Sequence, residues 1–132
     1  MLIRIKNLTL KTIVGVNSWE RQEAQEVVIN IEIEFDGRKA AASDSLDDAV
    51  DYRKLKKRIL DDVESSKCLL LESLAQRILN LVLTDGRVLR AVVEVDKPKA
   101  LRFADSVSVV CSGGRNARAT GNRMNRAKRI RK

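Results

Sequence analysis

The stretch Val27–Phe35, VVINIEIEF, decides the fold. Ile29, Ile31, Ile33 and Phe35 alternate with Asn30, Glu32 and Glu34. Successive side chains of a strand point to opposite faces, so this alternation predicts a strand with one apolar and one wet side. Such a strand needs neighbours of the same period and a cover for its apolar side. Upstream, Ile3 and Ile5, then Leu8 and Leu10, alternate with polar residues, and the phase slips at Lys6-Asn7. That slip predicts a strand carrying a bulge. The polar loop Gly15 to Gln25 joins the two strands and holds the only tryptophan, Trp19.

Downstream, Asp36-Gly37 opens a second loop that is expected to run to about Ser45. Tyr52, Leu55, Ile59 and Val63 then recur at helical spacing, with Leu60 alongside, behind Asp47, Asp48 and Asp51. Acids at that end suit the helix dipole. Ser65-Ser66 interrupts, and a second helix is expected to bury Leu70, Leu71, Leu74, Ala75, Ile78, Leu81 and Val82. After a turn at Asp85-Gly86, Leu89, Ala91, Val93 and Val95 share one strand face, and Lys97 continues that row. Val107, Val109 and Cys111 form the inward row of a last strand. The order β-β-α-α-β-β predicts an α+β domain: an antiparallel four-stranded sheet with two helices on one face. Val28, Val88, Val92 and Val110 fall on the opposite parity, which points toward an oligomer.

Composition sets the outer bounds. A chain of 132 residues with 3% aromatics makes one domain with an aliphatic core. No apolar run reaches the length of a membrane span, and MLIRIKNLTLK carries charges where a signal peptide is apolar. Cys68 and Cys111 form no CxxC pair, so reduced thiols in a cytoplasmic protein are expected. With no histidine and no cluster of cysteines and carboxylates, no metal is expected. The net charge of +8 lies entirely in residues 112–132, which contain no acid. Residues 1–111 form the balanced domain, and 112–132 read as a basic, solvated, flexible tail. Electrostatic binding of nucleic acid by that tail, with the domain as a non-catalytic scaffold, is the competing reading. Attraction of an anionic substrate is a third.

Without histidine, proton transfer near neutral pH falls to a perturbed Lys, Tyr, Cys, Asp or Glu. Lys97, partly buried at a strand end, is a candidate base or proton shuttle; the plain alternative is a lysine that snorkels to water. Tyr52, in the first turn of the first helix, is otherwise a core anchor with a wet hydroxyl. Glu72, near the start of the second helix, is otherwise a carboxylate favoured by the dipole. Glu20, in a polar loop, is otherwise simply solvated.

Together these residues resemble the dihydroneopterin aldolase and epimerase family of pterin enzymes. The resemblance covers about residues 2–111. It runs through IRIKNLTLKTIVGV, WERQEAQ, VVINIEIEF, DDAVDYRKL, LLLESLAQ and VEVDKPKALRFADSVSVV in that order. It implies a tunnel-type fold whose subunits close into rings, as homotetramers or stacked homo-octamers, with active sites between neighbours. It implies cofactor-free retro-aldol chemistry at the C1′–C2′ bond of 7,8-dihydroneopterin. The products are 6-hydroxymethyl-7,8-dihydropterin and glycolaldehyde, or the 2′ epimer. Lys97 and Tyr52 would move protons, and Glu20 would hold that network. Glu72 would grip the 2-amino and N3 hydrogens of the pterin, with backbone groups around Val50 and Leu71 completing the pocket. Where aldolases of the family often carry a histidine before the glycine matched by Gly15, Val14 stands here. RIKNLTLKT and DKPKALRFADSVSV look closer to the triphosphate 2′-epimerase branch. An epimerase must handle a triphosphate, for which Lys99 and Arg102 are candidate contacts; either is otherwise ordinary surface charge.

Overall fold

β2 (Gln25–Phe35) lies in the middle of the sheet, as its alternation requires. The computed structural model describes residues 1–114. β1 (Leu2–Val14) pairs antiparallel with one side of β2, and β4 (Val88–Lys97) with the other. β5 (Val107–Gly114) pairs antiparallel with β4. Ser112, Gly113 and Gly114, the first residues of the segment read as a tail, belong to this strand. The remainder of the basic segment lies outside the described residues. α2 (Tyr52–Ser65) and α3 (Leu71–Val82) supply the core's helical side.

The expected order of the four strands and two long helices is present, with two additions. A fifth strand, β3 (Lys67–Cys68), runs parallel to β1 beside Ile13 and Val14, so the sheet is mixed rather than purely antiparallel. Two residues carry no readable period, which hides such a strand from sequence. The segment expected to be loop also contains a helix, α1 (Arg38–Ser43), and a 3₁₀ turn at Leu46–Asp48. Three consecutive alanines favour the helix, and Asp44, with φ of 56°, ends it in the left-handed region. It buries nothing, so it leaves no apolar stripe to read.

The bulge in β1 is where the phase slips. Ile5 pairs with Ile31 and Leu8 with Ile29, so β1 uses one residue more than β2. Asn7 takes φ of 55°, and its N–H donates to Asn30 Oδ1 at 2.8 Å. The extra residue keeps Ile3, Ile5, Leu8 and Leu10 on the core side. A second irregularity overturns one expectation. Glu34 pairs with Arg90 but Phe35 with Val88, which leaves Leu89 outside the ladder. Val88 is therefore fully buried and Leu89 exposed, the reverse of the strict alternation. Leu70 is likewise exposed, because it precedes α3 in an extended conformation, and Leu79 is buried in its stead.

Ile29, Ile31, Ile33, Val93 and Val95 from the sheet meet Ile59, Val63, Leu74, Ile78 and Val82 from the helices. Arg77 grips Asp62 through two bonds of 2.5 and 3.0 Å, tying α3 to α2 and holding the Asp62 carboxyl below its usual range. Buried Thr12 donates to the Val63 carbonyl at 2.6 Å and fixes the C-terminal end of α2 beside the end of β1. Ile31→Ala is expected to lower the unfolding free energy by about 2–5 kcal/mol. Asn30→Ala, which removes the acceptor at the bulge, is expected to cost about 1 kcal/mol. Urea denaturation at fixed protein concentration measures both, and equal costs would contradict this division between core and bulge.

Candidate active site

At the end of the sheet where β1 and β4 finish, the loop between β1 and β2 folds over the rim. Gly15, with φ of 132°, starts this loop. A Cβ at that position would overlap the Glu20 carboxylate, so the glycine makes room for it. Glu20 is thereby 5% exposed, far from the solvated residue that a polar loop suggests. Its carboxylate accepts from Asn17 N at 3.2 Å, Asn17 Nδ2 at 2.9 Å, Gln25 Nε2 at 3.1 Å and Lys97 Nζ at 2.5 Å. The bond from Lys97 dominates. With Gln25 and Asn17 adding to it against the cost of burial, the Glu20 pKa is lowered to about 2.

Lys97 therefore does not snorkel into water. Its side chain is 12% exposed and ends on Glu20. The two residues lie 77 positions apart in sequence and meet because β4 delivers Lys97 to the rim that the loop covers. A buried carboxylate with four donors is an anchor, and the ammonium it holds is fixed in place.

Arg21 is the residue that sequence reading missed. Its guanidinium donates to the carbonyls of Gly15 at 2.9 Å, Cys68 at 3.0 Å and Lys67 at 2.6 Å. With the Gly15 N–H bonded to the Cys68 carbonyl at 3.2 Å, it stitches the loop to β3 and hence to the start of α3. Three carbonyl acceptors on two neighbouring nitrogens suit the planar fork of arginine. Arg21 adjoins Glu20 in sequence, but nothing in the one-dimensional pattern points to β3.

Leu71 and Glu72 open α3 at this same end. Glu72 is exposed, and its carboxylate has no partner among the described residues. Leu70, the residue before the helix, offers no side-chain cap, so the first N–H groups of α3 are left for another acceptor. Of the two candidate phosphate contacts, Lys99 is exposed just beyond Lys97, and the Arg102 guanidinium lies 5.3 Å from the centre of the Phe103 ring. Among the described residues no three metal-ligating side chains converge.

Tyr52 and Val50 are elsewhere. Both line a separate cavity with Leu46 and Asp51. Val50 and Asp51 also face Gly86 and Arg87, which precede β4, and Arg87 donates to the Asp47 carbonyl at 2.6 Å. β4 spans 10 residues, about 33 Å, and Lys97 is its far end. Within one chain, Tyr52 and Lys97 thus stand at opposite ends of the sheet. Tyr52 is 56% exposed, a placement unlike that of a core anchor.

The family model described as dihydroneopterin aldolase (FolB) matches residues 3–112. The dihydroneopterin triphosphate 2′-epimerase of Escherichia coli (strain K12) is 42% identical over 111 residues, 84% of this chain and 92% of that protein. The dihydroneopterin aldolase of the same organism is 30% identical over 115 residues, 87% of this chain and 94% of that protein. The crystal structure of E. coli dihydroneopterin aldolase in complex with neopterin matches with a TM-score of 0.82 and 30% identity. That match covers 86% of this chain and 99% of the other.

Two outcomes follow from the geometry of the rim. A carboxylate whose folded pKa is depressed stabilises the fold above its ordinary pKa and loses that contribution as pH falls through the depressed value. The stability difference between wild type and Glu20→Gln is therefore expected to hold above pH 4.5 and to shrink toward pH 2. A difference that stayed constant over this range in chemical denaturation would contradict the pairing. Arg21→Ala is expected to speed amide hydrogen exchange through residues 16–24 and 67–70 and to leave β2 and β4 protected. Uniform acceleration would mean that Arg21 supports the whole fold instead of the loop.

Proposed function

The chain belongs to the dihydroneopterin aldolase family, and we propose that its buried Glu20–Lys97 pair serves the retro-aldol chemistry of that family on a dihydropterin. The protein is an enzyme of pterin metabolism. The observation that carries the reading is a lysine, 12% exposed, held at 2.5 Å by a carboxylate that is itself fixed by Asn17 and Gln25. Chemistry that must move a proton without histidine needs such a group at a defined place.

In this reading the dihydropterin binds with its 2-amino and N3 hydrogens on Glu72, whose free carboxylate matches two parallel N–H donors. The backbone at Leu71 and Val50 contributes further contacts. Removal of the 2′-hydroxyl proton lets the C1′–C2′ bond break. The bonding pair moves into the N5=C6 imine of the substrate, and the two-carbon fragment leaves as an aldehyde. Protonation at C1′ gives the 6-hydroxymethyl product; re-addition to the other face of the aldehyde gives the 2′ epimer. Lys97 and Tyr52 carry the protons, and Glu20 positions Lys97. The higher identity to the triphosphate epimerase than to the aldolase supports epimerisation of dihydroneopterin triphosphate as the main reaction.

Because Tyr52 and Val50 lie at the opposite end of the sheet from Lys97 and Glu72, the site is completed by a second copy of the chain. A ring of four, alone or stacked as eight, supplies that neighbour. This arrangement has the two-ended character that head-to-tail closure demands.

Lys97→Ala is expected to reduce kcat by about a hundredfold or more with either dihydroneopterin or its triphosphate. Turnover is followed by separating hydroxymethyldihydropterin from the 2′ epimers. Normal turnover by the variant would remove Lys97 from the mechanism. Mixing Lys97→Ala with Tyr52→Phe subunits after dissociation and reassembly is expected to restore about a quarter of the sites, since random mixing leaves that share with both residues intact. No restoration would mean that the site lies within one chain.

A further inference from the structure

A cavity of about 280 Å³ opens at the rim beside the Glu20–Lys97 pair. Lys11 from β1, Trp19 from the loop, Gln25 and Glu26 from β2, and Pro98 and Lys99 beyond β4 line it. It shares a wall with the pair, because Gln25 donates to Glu20 and Pro98 directly follows Lys97. The charges around it are uneven: two lysines face one glutamate. Lys11 and Lys99 are exposed, and neither ammonium has a partner among the described residues.

Lys11 lies on β1 and Lys99 in the turn that follows β4, and both line the cavity. Two flexible ammonium groups lining one cavity can each take a different phosphate of a polyphosphate chain, so that its several negative charges are matched by more than one cation. The Trp19 indole adds an N–H donor at the edge. Glu26 opposes this charge, since it sits across from Lys11 in the β1–β2 ladder. A carboxylate there weakens anion binding.

We propose that this cavity is a polyphosphate subsite, in which Lys11 and Lys99 hold the phosphate chain of a pterin triphosphate while its side-chain carbons lie at Lys97. The proposal rests on the pterin reading above and deepens it by naming the cavity and the residues that hold the phosphate chain. Lys11 is then a specificity residue for the phosphorylated substrate. Arg102, placed over Phe103, has no part in the cavity.

Inorganic tripolyphosphate tests the subsite apart from any turnover. Its binding to the full chain is measured by titration calorimetry at two salt concentrations. Lys57→Gln, an exposed charge loss on α2, controls for the change in net charge. Lys11→Gln and Lys99→Gln are each expected to weaken binding roughly tenfold. Glu26→Gln is expected to tighten it, and Lys57→Gln to leave it within a factor of two or so. The effects should shrink at high salt. In steady-state kinetics, the two lysine variants should raise KM for dihydroneopterin triphosphate roughly tenfold relative to KM for dihydroneopterin. Absent binding to wild type, or equal effects of Lys11→Gln, Lys99→Gln and Lys57→Gln, would overturn the subsite. Retained cavity-dependent binding with no turnover of either pterin would instead overturn the pterin reading.

Discussion

The rim of this sheet depends on one constraint: an ionised carboxylate taken out of water must be fully paired. Glu20 meets it with donors from Asn17, Gln25 and Lys97. Each donor comes from a different part of the structure. Asn17 belongs to the loop, Gln25 to the start of β2 and Lys97 to the end of β4. The carboxylate thus ties the loop to β2 and β4, and the loop cannot lift without breaking the Glu20–Lys97 pair. Gly15 makes the space, and Arg21 closes the outside by donating to the carbonyls of Gly15, Lys67 and Cys68. Precision at the Lys97 ammonium is a product of this whole arrangement.

Much of the fold was legible because its signals are periodic. The alternation in β2, the slip at Asn7 and the helical spacing of Leu55, Ile59 and Val63 all report burial on one face, and the structure places those faces in the core. What was missed lacks a period. β3 is two residues long, and its role comes from a parallel register with β1 that only tertiary contact creates. α1 is an exposed helix whose formation depends on local propensity. Val88 and Leu89 exchanged roles because a bulge beside Phe35 shifts the parity of one strand end, and two apolar neighbours give no hint of which turns inward.

The site was legible in a different way. Position on an inward row marked Lys97 as unusual, but its partner could not be found by spacing, since Glu20 sits in a loop where a solvated side chain is the ordinary outcome. The family resemblance supplied Glu20, Tyr52 and Glu72; local pattern alone would have left each of them as a surface residue. Arg21 escaped both routes. Its partners are backbone carbonyls, and main-chain acceptors have no identity in a sequence. The same holds for Lys11, which reads as the polar side of an alternating strand until the fold brings it into one cavity with Lys99.

The placement of Tyr52 and Lys97 at opposite ends of the sheet has a physical consequence. β4 separates Lys97 from the cavity at Val50 and Tyr52 by the length of a strand, and no motion short of unfolding the sheet would bring them together. The separated groups are also those that an isolated chain leaves most idle: a tyrosine hydroxyl on an exposed helix start, an unpartnered Glu72 carboxylate and uncapped N–H groups at α3. In the proposed shared site each end lacks what the other has, and a second copy would complete it without moving the lysine, which Glu20 already holds. On this view the network around Glu20 explains more than the position of one proton donor. In the proposed shared site, it holds the Lys97 ammonium in place before any neighbour arrives.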